Sequence, residues 1–181
     1  SLDGPTVSER LTSLTDEQQQ AVQHALDERL TLVSGGPGTG KTTIIVSMLQ
    51  AFIAAGVAPE SIVLAAPTGK AAWRMDEAVR NGLSELTSPI QWNRTDLAEA
   101  KTLHRLLEYM PSRGGFRRHR RHPLQYSVVL IDEASMIDTV LMERLFSAAE
   151  STRHLVLLGD ADQLPSVAAG EVFRAMTTAL P

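Results

Sequence analysis

Nine consecutive residues, Ser34-Gly35-Gly36-Pro37-Gly38-Thr39-Gly40-Lys41-Thr42, restrict this chain more than any other stretch. They fit G-x-x-x-x-G-K-[ST], the phosphate-binding loop. Leu30 to Val33 ahead of them is a short apolar run and reads as a buried strand. Thr43 to Leu49 behind them opens a helix. The glycines admit backbone angles that a side chain forbids, so consecutive N–H groups can face one hollow. That hollow and the helix N-terminus attract phosphate oxygens. The pattern sends Lys41 to the β- and γ-phosphates and the Thr42 hydroxyl to Mg²⁺. Gly36, Pro37, Gly38, Thr39, Gly40 and Thr43 then surround the phosphates. The competing reading, an ordinary glycine-rich turn, leaves the ordered strand, loop and helix unexplained.

The rest of the chain has to build a sheet around that loop. With 181 residues, 43% of them hydrophobic and only 4% aromatic, it suits one α/β domain packed with aliphatic side chains. It has no cysteine, which excludes disulfides and thiolate metal sites. No run approaches the ~18 apolar residues of a membrane span. Ser1-Leu2-Asp3-Gly4-Pro5 offers neither an initiator Met nor an apolar signal core, so a cytoplasmic protein and a piece of a longer chain are expected. A net charge of −4 argues against indiscriminate nucleic-acid binding.

Residues 1–13 read as a polar lead-in, and residues 14–181 as the domain. Thr15 is placed to N-cap a helix, with Gln18 where a capping box wants Glu or Gln. Ala21, Val22, Ala25 and Leu26 form the stripe of that helix. Gln18 therefore has two compatible roles, capping and reading an adenine edge with its amide. Ser61 to Ala66 is a second strand, followed by Pro67-Thr68-Gly69-Lys70 and a helix from Ala71 to about Arg80. That turn is either a capped turn with a solvated lysine or part of a ligand site at the carboxyl edge of the sheet. Residues 81–100 have no clear period; a short helix is expected at Asp96-Leu97-Ala98-Glu99. Lys101 to Leu107 reads as another helix, and its His104 taken alone is an ordinary packed or surface histidine.

Charge is unevenly spread. Arg113, Arg117, Arg118, Arg120 and Arg121 lie within ten residues with His119 and His122; without these arginines the balance falls from −4 to −9. Gly114-Gly115 suits a hairpin bend, and a small basic insertion over about 111–125 is expected. Phe116 among the arginines suits base stacking beside phosphate contacts, against the plain alternative of a solvated loop. Ser127 to Ile131 is a third strong strand, closed by Asp132 and Glu133. Behind a phosphate loop, such a pair suits a water-mediated Mg²⁺ ligand (Asp132) and a base for an attacking water (Glu133). Asp138 to Glu150 is a helix with Val140, Leu141, Leu145, Phe146 and Ala149 inward. His154 to Gly159 is a fourth strand ending in Asp160-Ala161-Asp162-Gln163, and Glu171 to Leu180 is a last helix.

In order, these segments resemble the first motor domain of a superfamily 1 helicase. Leu14 to Gln18 resembles the Q motif, Gly35 to Thr42 motif I, and Ala66 to Ala72 motif Ia. Thr102 to Leu107 resembles motif Ib, Asp132-Glu133-Ala134-Ser135 motif II, and Gly159 to Val167 motif III. The long spacer between motifs Ia and Ib is most similar to the RecD-type subunits of exodeoxyribonuclease V. The resemblance implies a RecA-like parallel sheet in which the strand ending at Gly159 lies between the phosphate-loop strand and the Asp132 strand. It implies an ATP- and Mg²⁺-dependent 5′→3′ motor on single-stranded DNA, acting with RecB and RecC on duplex ends in double-strand break repair and recombination. Gln18 would contact adenine and Gln163 would sense the γ-phosphate. Pro67, Thr68, Lys70 and His104 would line the DNA track, and Phe116, Arg117 and Arg118 would meet a strand junction. Motifs IV to VI belong to a second motor domain that supplies an arginine finger, so residues 1–181 alone are expected to turn ATP over poorly.

Three other readings stand beside this one. A stand-alone RecD-like or other superfamily 1 helicase would share every motif. A small-molecule kinase with a phosphate loop would need a lid and an acceptor site, whereas Asp132-Glu133 and Gln163 suit attack by water. A non-catalytic nucleotide switch would have no use for the full set of Lys41, Thr42, Asp132 and Glu133.

Overall fold

The computed structural model describes residues 14–36, 38–84, 97–163 and 171–179. The lead-in, Pro37, Asp96 and the Leu164–Val167 end of motif III lie outside the described residues. Strands β1 (Leu30–Ser34), β2 (Ile62–Ala66), β3 (Lys101–Thr102), β6 (Val128–Ile131) and β7 (His154–Gly159) form one parallel sheet in the order β1-β7-β6-β2-β3. The strand ending at Gly159 thus lies between the phosphate-loop strand and the Asp132 strand. Helices α1 (Asp16–Asp27), α2 (Lys41–Ala54), α3 (Gly69–Ser84), α4 (Leu103–Leu106), α5 (Thr139–Ala148) and α6 (Glu171–Ala179) complete the layers. A separate antiparallel ribbon joins β4 (Tyr109–Met110) to β5 (Gly115–Phe116). No described helix is long and apolar enough to cross a membrane.

The central strands β2, β6 and β7 are buried along their whole length, as the interior of a parallel sheet requires, while the edge strands β1 and β3 are only partly covered. Alternate residues divide between two cores. Ile62 and Leu64, Val128 and Leu130, and Val156 and Leu158 face α1, α2 and α3. Val63 and Ala65, Val129 and Ile131, and Leu155 and Leu157 face α4, α5 and Phe173 of α6. Helix α2 is the most enclosed, with every residue from Ile44 to Phe52 buried. It holds the phosphate loop against the sheet.

Local chemistry sets several boundaries. Helix α1 begins with a complete capping box: Thr15 Oγ1 accepts from Gln18 N–H at 3.3 Å, and Gln18 Oε1 accepts from Thr15 N–H at 3.1 Å. Asp138 caps α5, accepting from Leu141 N–H at 2.8 Å. The α5 inner face is Leu141, Met142, Leu145 and Ala148. Val140 is 64% exposed, because a turn of 100° per residue carries it away from the side that Leu141, Leu145 and Ala148 share. The expected helix over Lys101–Leu107 is split. Lys101 and Thr102 pair with Ala65 and Ala66 as β3, and the helix begins only after Thr102, which caps it through Arg105 N–H at 3.2 Å. Leu97 to Glu99 are not helical.

Gly159 is where these layers meet most tightly. A Cβ there would lie 2.8 Å from the Phe173 ring and 2.9 Å from Ser135 N. Gly159→Ala is therefore expected to cost about 1–3 kcal/mol, the usual penalty for overpacking a filled site. The measurement is a urea unfolding midpoint; an unchanged midpoint would show that the site relaxes freely.

Candidate active site

The phosphate loop closes on itself. Gly38 (φ +80°) and Gly40 (φ +79°) occupy the left-handed region, where glycine escapes the Cβ clash. Gly40 is the N-cap of α2. Close neighbours also demand glycine at Gly35, where a Cβ would sit 2.5 Å from Thr39 Oγ1. Thr39 Oγ1 donates to Gly36 O at 2.9 Å. Lys41 Nζ donates to Gly35 O at 2.5 Å and Gly36 O at 3.2 Å, so its ammonium sits inside the curl of the loop. Thr42 and Thr43 are exposed on the first turn of α2, beside the unpaired N–H groups of the helix start. Gln18 reaches the loop from α1, donating from Nε2 to Thr39 O at 3.3 Å while its Oε1 stays in the capping box. One amide serves both ends, which leaves one hydrogen and one lone pair for any further partner.

The carboxyl ends of β6 and β7 complete the site. Thr42, Asp132 and Glu133 line a cavity of about 140 Å³, with Arg74 of α3 on its wall. Burial raises the Asp132 pKa above the ordinary carboxylate range, against two opposing influences: the hydrogen bond from Glu133 N–H, 2.8 Å long, and the charge of Lys41. Glu133 has φ +53°, an uncommon conformation for a residue with a side chain. Such local strain collects at working sites. It turns the chain out of β6 into the short 3₁₀ turn Ala134–Met136.

Hydrogen bonds knit the three strand ends together. Gly35 N–H donates to Gly159 O at 2.9 Å, and Ala161 N–H to Ser34 Oγ at 3.3 Å. Ser135 Oγ donates to Gln163 Oε1 at 3.1 Å and accepts from Asp160 N–H at 3.3 Å. Sequence reasoning named Gln163 but missed Ser34, Ser135 and Arg74 as parts of the site. Ser135 was legible as the end of Asp132-Glu133-Ala134-Ser135. Arg74 was legible as Lys70 plus four, one helical turn further on.

The candidate DNA residues fall into two places. Pro67, Thr68 and Lys70 stand at the carboxyl end of β2; Thr68 Oγ1 accepts from Ala71 N–H at 3.2 Å and so caps α3, while Lys70 is exposed. His104 and Phe116 belong to an aromatic group with Tyr109, ring centroids 5.2–5.6 Å apart, where α4 meets the β4–β5 ribbon. His104 is therefore neither isolated nor buried. Arg118 is not a free cation. Its Nη2 and Nε bond Glu108 Oε1 at 2.5 and 2.8 Å, and its Nη1 donates to Pro123 O at 3.1 Å. Its side chain is 18% exposed, and these bonds tie it to the two ends of the basic segment. Arg117 stays 62% exposed, 3.4 Å from Glu108. Arg120 pairs with Glu150 at 2.7 Å. Arg121 is exposed and forms no ion pair among the described residues. Hydrogen bonding by Arg118 holds the Glu108 carboxyl below the ordinary range.

A family model described as an AAA domain matches residues 18–169. The RecBCD enzyme subunit RecD of Mycobacterium tuberculosis is 46% identical over 162 residues, which cover 87% of this chain and 28% of that protein. The same subunit of Haemophilus influenzae is 38% identical, covering 87% and 25%. The ATP-dependent RecD2 DNA helicase of Deinococcus radiodurans is 36% identical over 168 residues, covering 93% and 20%. The chain thus spans 20 to 28% of the length of these relatives. Among solved structures, Bacteroides sp Pif1 in complex with ADP-AlF4 superposes with a TM-score of 0.53 at 22% identity, covering 92% of this chain and 36% of that one. That likeness establishes the RecA-like fold.

The buried Asp132 carboxylate costs stability when ionised. A carboxyl whose pKa is raised on folding favours the folded state below its ordinary pKa and loses that advantage as pH rises through the raised value. Asp132→Asn keeps an oxygen for Glu133 N–H and removes the charge. It is expected to stabilise the nucleotide-free protein by about 1 kcal/mol at neutral pH. The gain should vanish below the ordinary carboxylate range. Thermal unfolding of the two proteins against pH checks both the sign and the window.

Proposed function

Because the chain belongs to the AAA domain family, whose match spans most of its length, we propose that it is the ATP-binding motor domain of an ATP-dependent 5′→3′ DNA helicase, the RecD-type subunit of exodeoxyribonuclease V. The observation that carries this reading is the convergence of Lys41, Thr42, Asp132 and Glu133 at the carboxyl ends of β1 and β6, with Gln163 joined to them through Ser135. The mycobacterial RecBCD subunits, at 44 to 46% identity, stand above the RecD2 helicase at 36% and favour a subunit over a stand-alone motor, although the Buchnera subunits stand below it at 32 to 33%. The partners are then RecB, RecC, single-stranded DNA and duplex ends, in the cytoplasm, during double-strand break repair and recombination.

The residues suit ATP with Mg²⁺. Gly36, Gly38, Thr39, Gly40 and Thr43 form the cradle, and Lys41 turns from the loop carbonyls to the β- and γ-phosphates. Thr42 and Asp132 offer a hydroxyl and a carboxylate, the small protein share that Mg²⁺ takes beside phosphates and water. A divalent ion held by these two residues would supply charge neutralisation to the phosphates. Gln18 keeps an unused donor and acceptor for the adenine edge. Glu133 orients a water and takes its proton as the water oxygen bonds the γ-phosphorus and the bond to the β,γ-bridging oxygen breaks, releasing ADP and phosphate. Gln163 senses the γ-phosphate and passes its state to motif II through the Ser135 hydroxyl. Pro67, Thr68, Lys70, His104 and Phe116 line the strand, and the hairpin of residues 111–125 stands at its junction.

The deciding experiment is ATP hydrolysis by the full-length protein with and without single-stranded DNA. A rate indifferent to DNA removes the motor reading in favour of the kinase or the switch. In the same protein, Glu133→Gln is expected to keep ATP binding and lower kcat by about 10²–10⁴, since a carboxamide cannot accept the proton. Lys41→Ala should weaken binding instead. An unimpaired Glu133→Gln enzyme would exclude Glu133 as the base.

The arginines of the hairpin should separate by environment. Arg117→Ala and Arg121→Ala are each expected to lower the slope of log affinity against log salt by about 0.7 on single strands, with folding unaffected. Arg118→Ala should loosen the hairpin itself, read as faster exchange of the backbone amides at positions 117 and 118. Equal behaviour of all three would mean that Arg118 does not hold the hairpin.

A further inference from the structure

A groove of about 370 Å³ opens at the carboxyl end of β2 and β3, between α3 and α4, outside the nucleotide site. Gly69, Ala72, Trp73, Asp76 and Arg80 line one wall of it at the i, i+3, i+4, i+7, i+11 spacing of a single helix face. Thr102 and Arg105 line the other. Trp73 is 63% exposed, the second most exposed large apolar side chain among the described residues. It makes no ring contact there, in contrast to the mutually packed His104, Tyr109 and Phe116. An indole left in water at a groove mouth is a surface awaiting a flat partner.

Two exposed cations stand beside it. Arg105 forms no ion pair among the described residues, and Lys70 stands exposed three residues before Trp73. Two carboxylates, Asp76 and Glu99, line the groove as well, and Asp76 is paired with Arg80. Asp76 holds Arg80 at 2.5 Å and accepts from Ala100 N–H at 3.1 Å, and Glu99 lies close enough to raise the Arg80 pKa. Arg105 is also fixed at its backbone, because its N–H is bound by the Thr102 cap.

We propose that Trp73 is a base-stacking residue for single-stranded DNA, with Arg105 taking the adjoining phosphate. The groove extends the strand path from Lys70 along α3. Stacking on an indole is indifferent to base identity, as a motor that reads every sequence requires. This deepens the motor reading above and rests on it.

The test uses the full-length protein and two probes, oligothymidylate and an abasic strand of the same length. Trp73→Ala should weaken oligothymidylate binding about 5- to 150-fold, the range that loss of one stacked base produces. It should leave binding of the abasic strand and the salt slope as they are. Trp73→Phe should restore most of the affinity. Arg105→Ala should instead lower the salt slope by about 0.7 on both strands. Equal losses on the two strands, or no loss on either, would overturn the stacking assignment while leaving the motor reading in place. So would a Trp73→Ala protein that binds both strands normally but no longer associates with its partner subunits, since Trp73 would then be a protein contact. Failure of the unaltered protein to bind oligothymidylate removes the parent reading and this proposal together.

Discussion

The parallel register of three strands governs nearly everything else in this domain. Ser34 pairs with Gly159, and Ile131 pairs with Leu157, so the chain leaves β1, β7 and β6 at almost one level. Three loops then emerge side by side from the same edge of the sheet. Each supplies a different chemical element: a ring of amides with an ammonium, a pair of carboxylates, and an amide side chain. A slip of one residue in any of these pairings would turn the two core faces inside out, because the side-chain period is two. The hydrophobic alternation between the two cores therefore also fixes the distances within the site.

What could be read from the residues follows the range of the forces involved. The phosphate loop, the Thr15–Gln18 capping box and the Asp132-Glu133 pair depend on neighbours a few residues away, and the amino acids announce them. The strand order came from resemblance alone, since no local pattern tells a parallel strand which neighbours it will take. Lys101 and Thr102 illustrate the limit. They carry no strand pattern and become β3 because the free edge of β2 offers Ala65 and Ala66 as partners. Val140 was misread because an apolar residue at the start of an amphipathic helix can lie on either flank. The role of Arg118 was invisible for a related reason. A basic residue in a basic run looks like its neighbours until Glu108 is brought to it across the ribbon.

The hairpin shows how one charge can be structural within a run that looks functional. Glu108 has φ +53° and accepts at both its backbone and side-chain oxygens: Arg117 N–H donates to Glu108 O at 3.1 Å, and the Arg118 guanidinium grips the carboxylate. The ribbon is thereby anchored to the end of α4, and α4 is anchored to β3 through Thr102. The exposed cations, Arg117 and Arg121, ride on a base that their neighbour has made rigid. A uniform cluster of solvated arginines would present the same net charge with no fixed direction.

Lys41 already has partners. Its ammonium is bound by two loop carbonyls, Gly35 O and Gly36 O. Any anion entering the loop must therefore compete with the protein's own backbone for that charge, so binding is a substitution rather than a simple capture. A lone inorganic phosphate replaces those two bonds with a similar number and gains little. A polyphosphate chain also reaches the loop amides, the start of α2 and the hydroxyl of Thr42, and only such a ligand makes the exchange worthwhile. The curl of the loop around its own lysine thus keeps that ammonium paired, so an incoming anion must displace two carbonyls before it gains the charge.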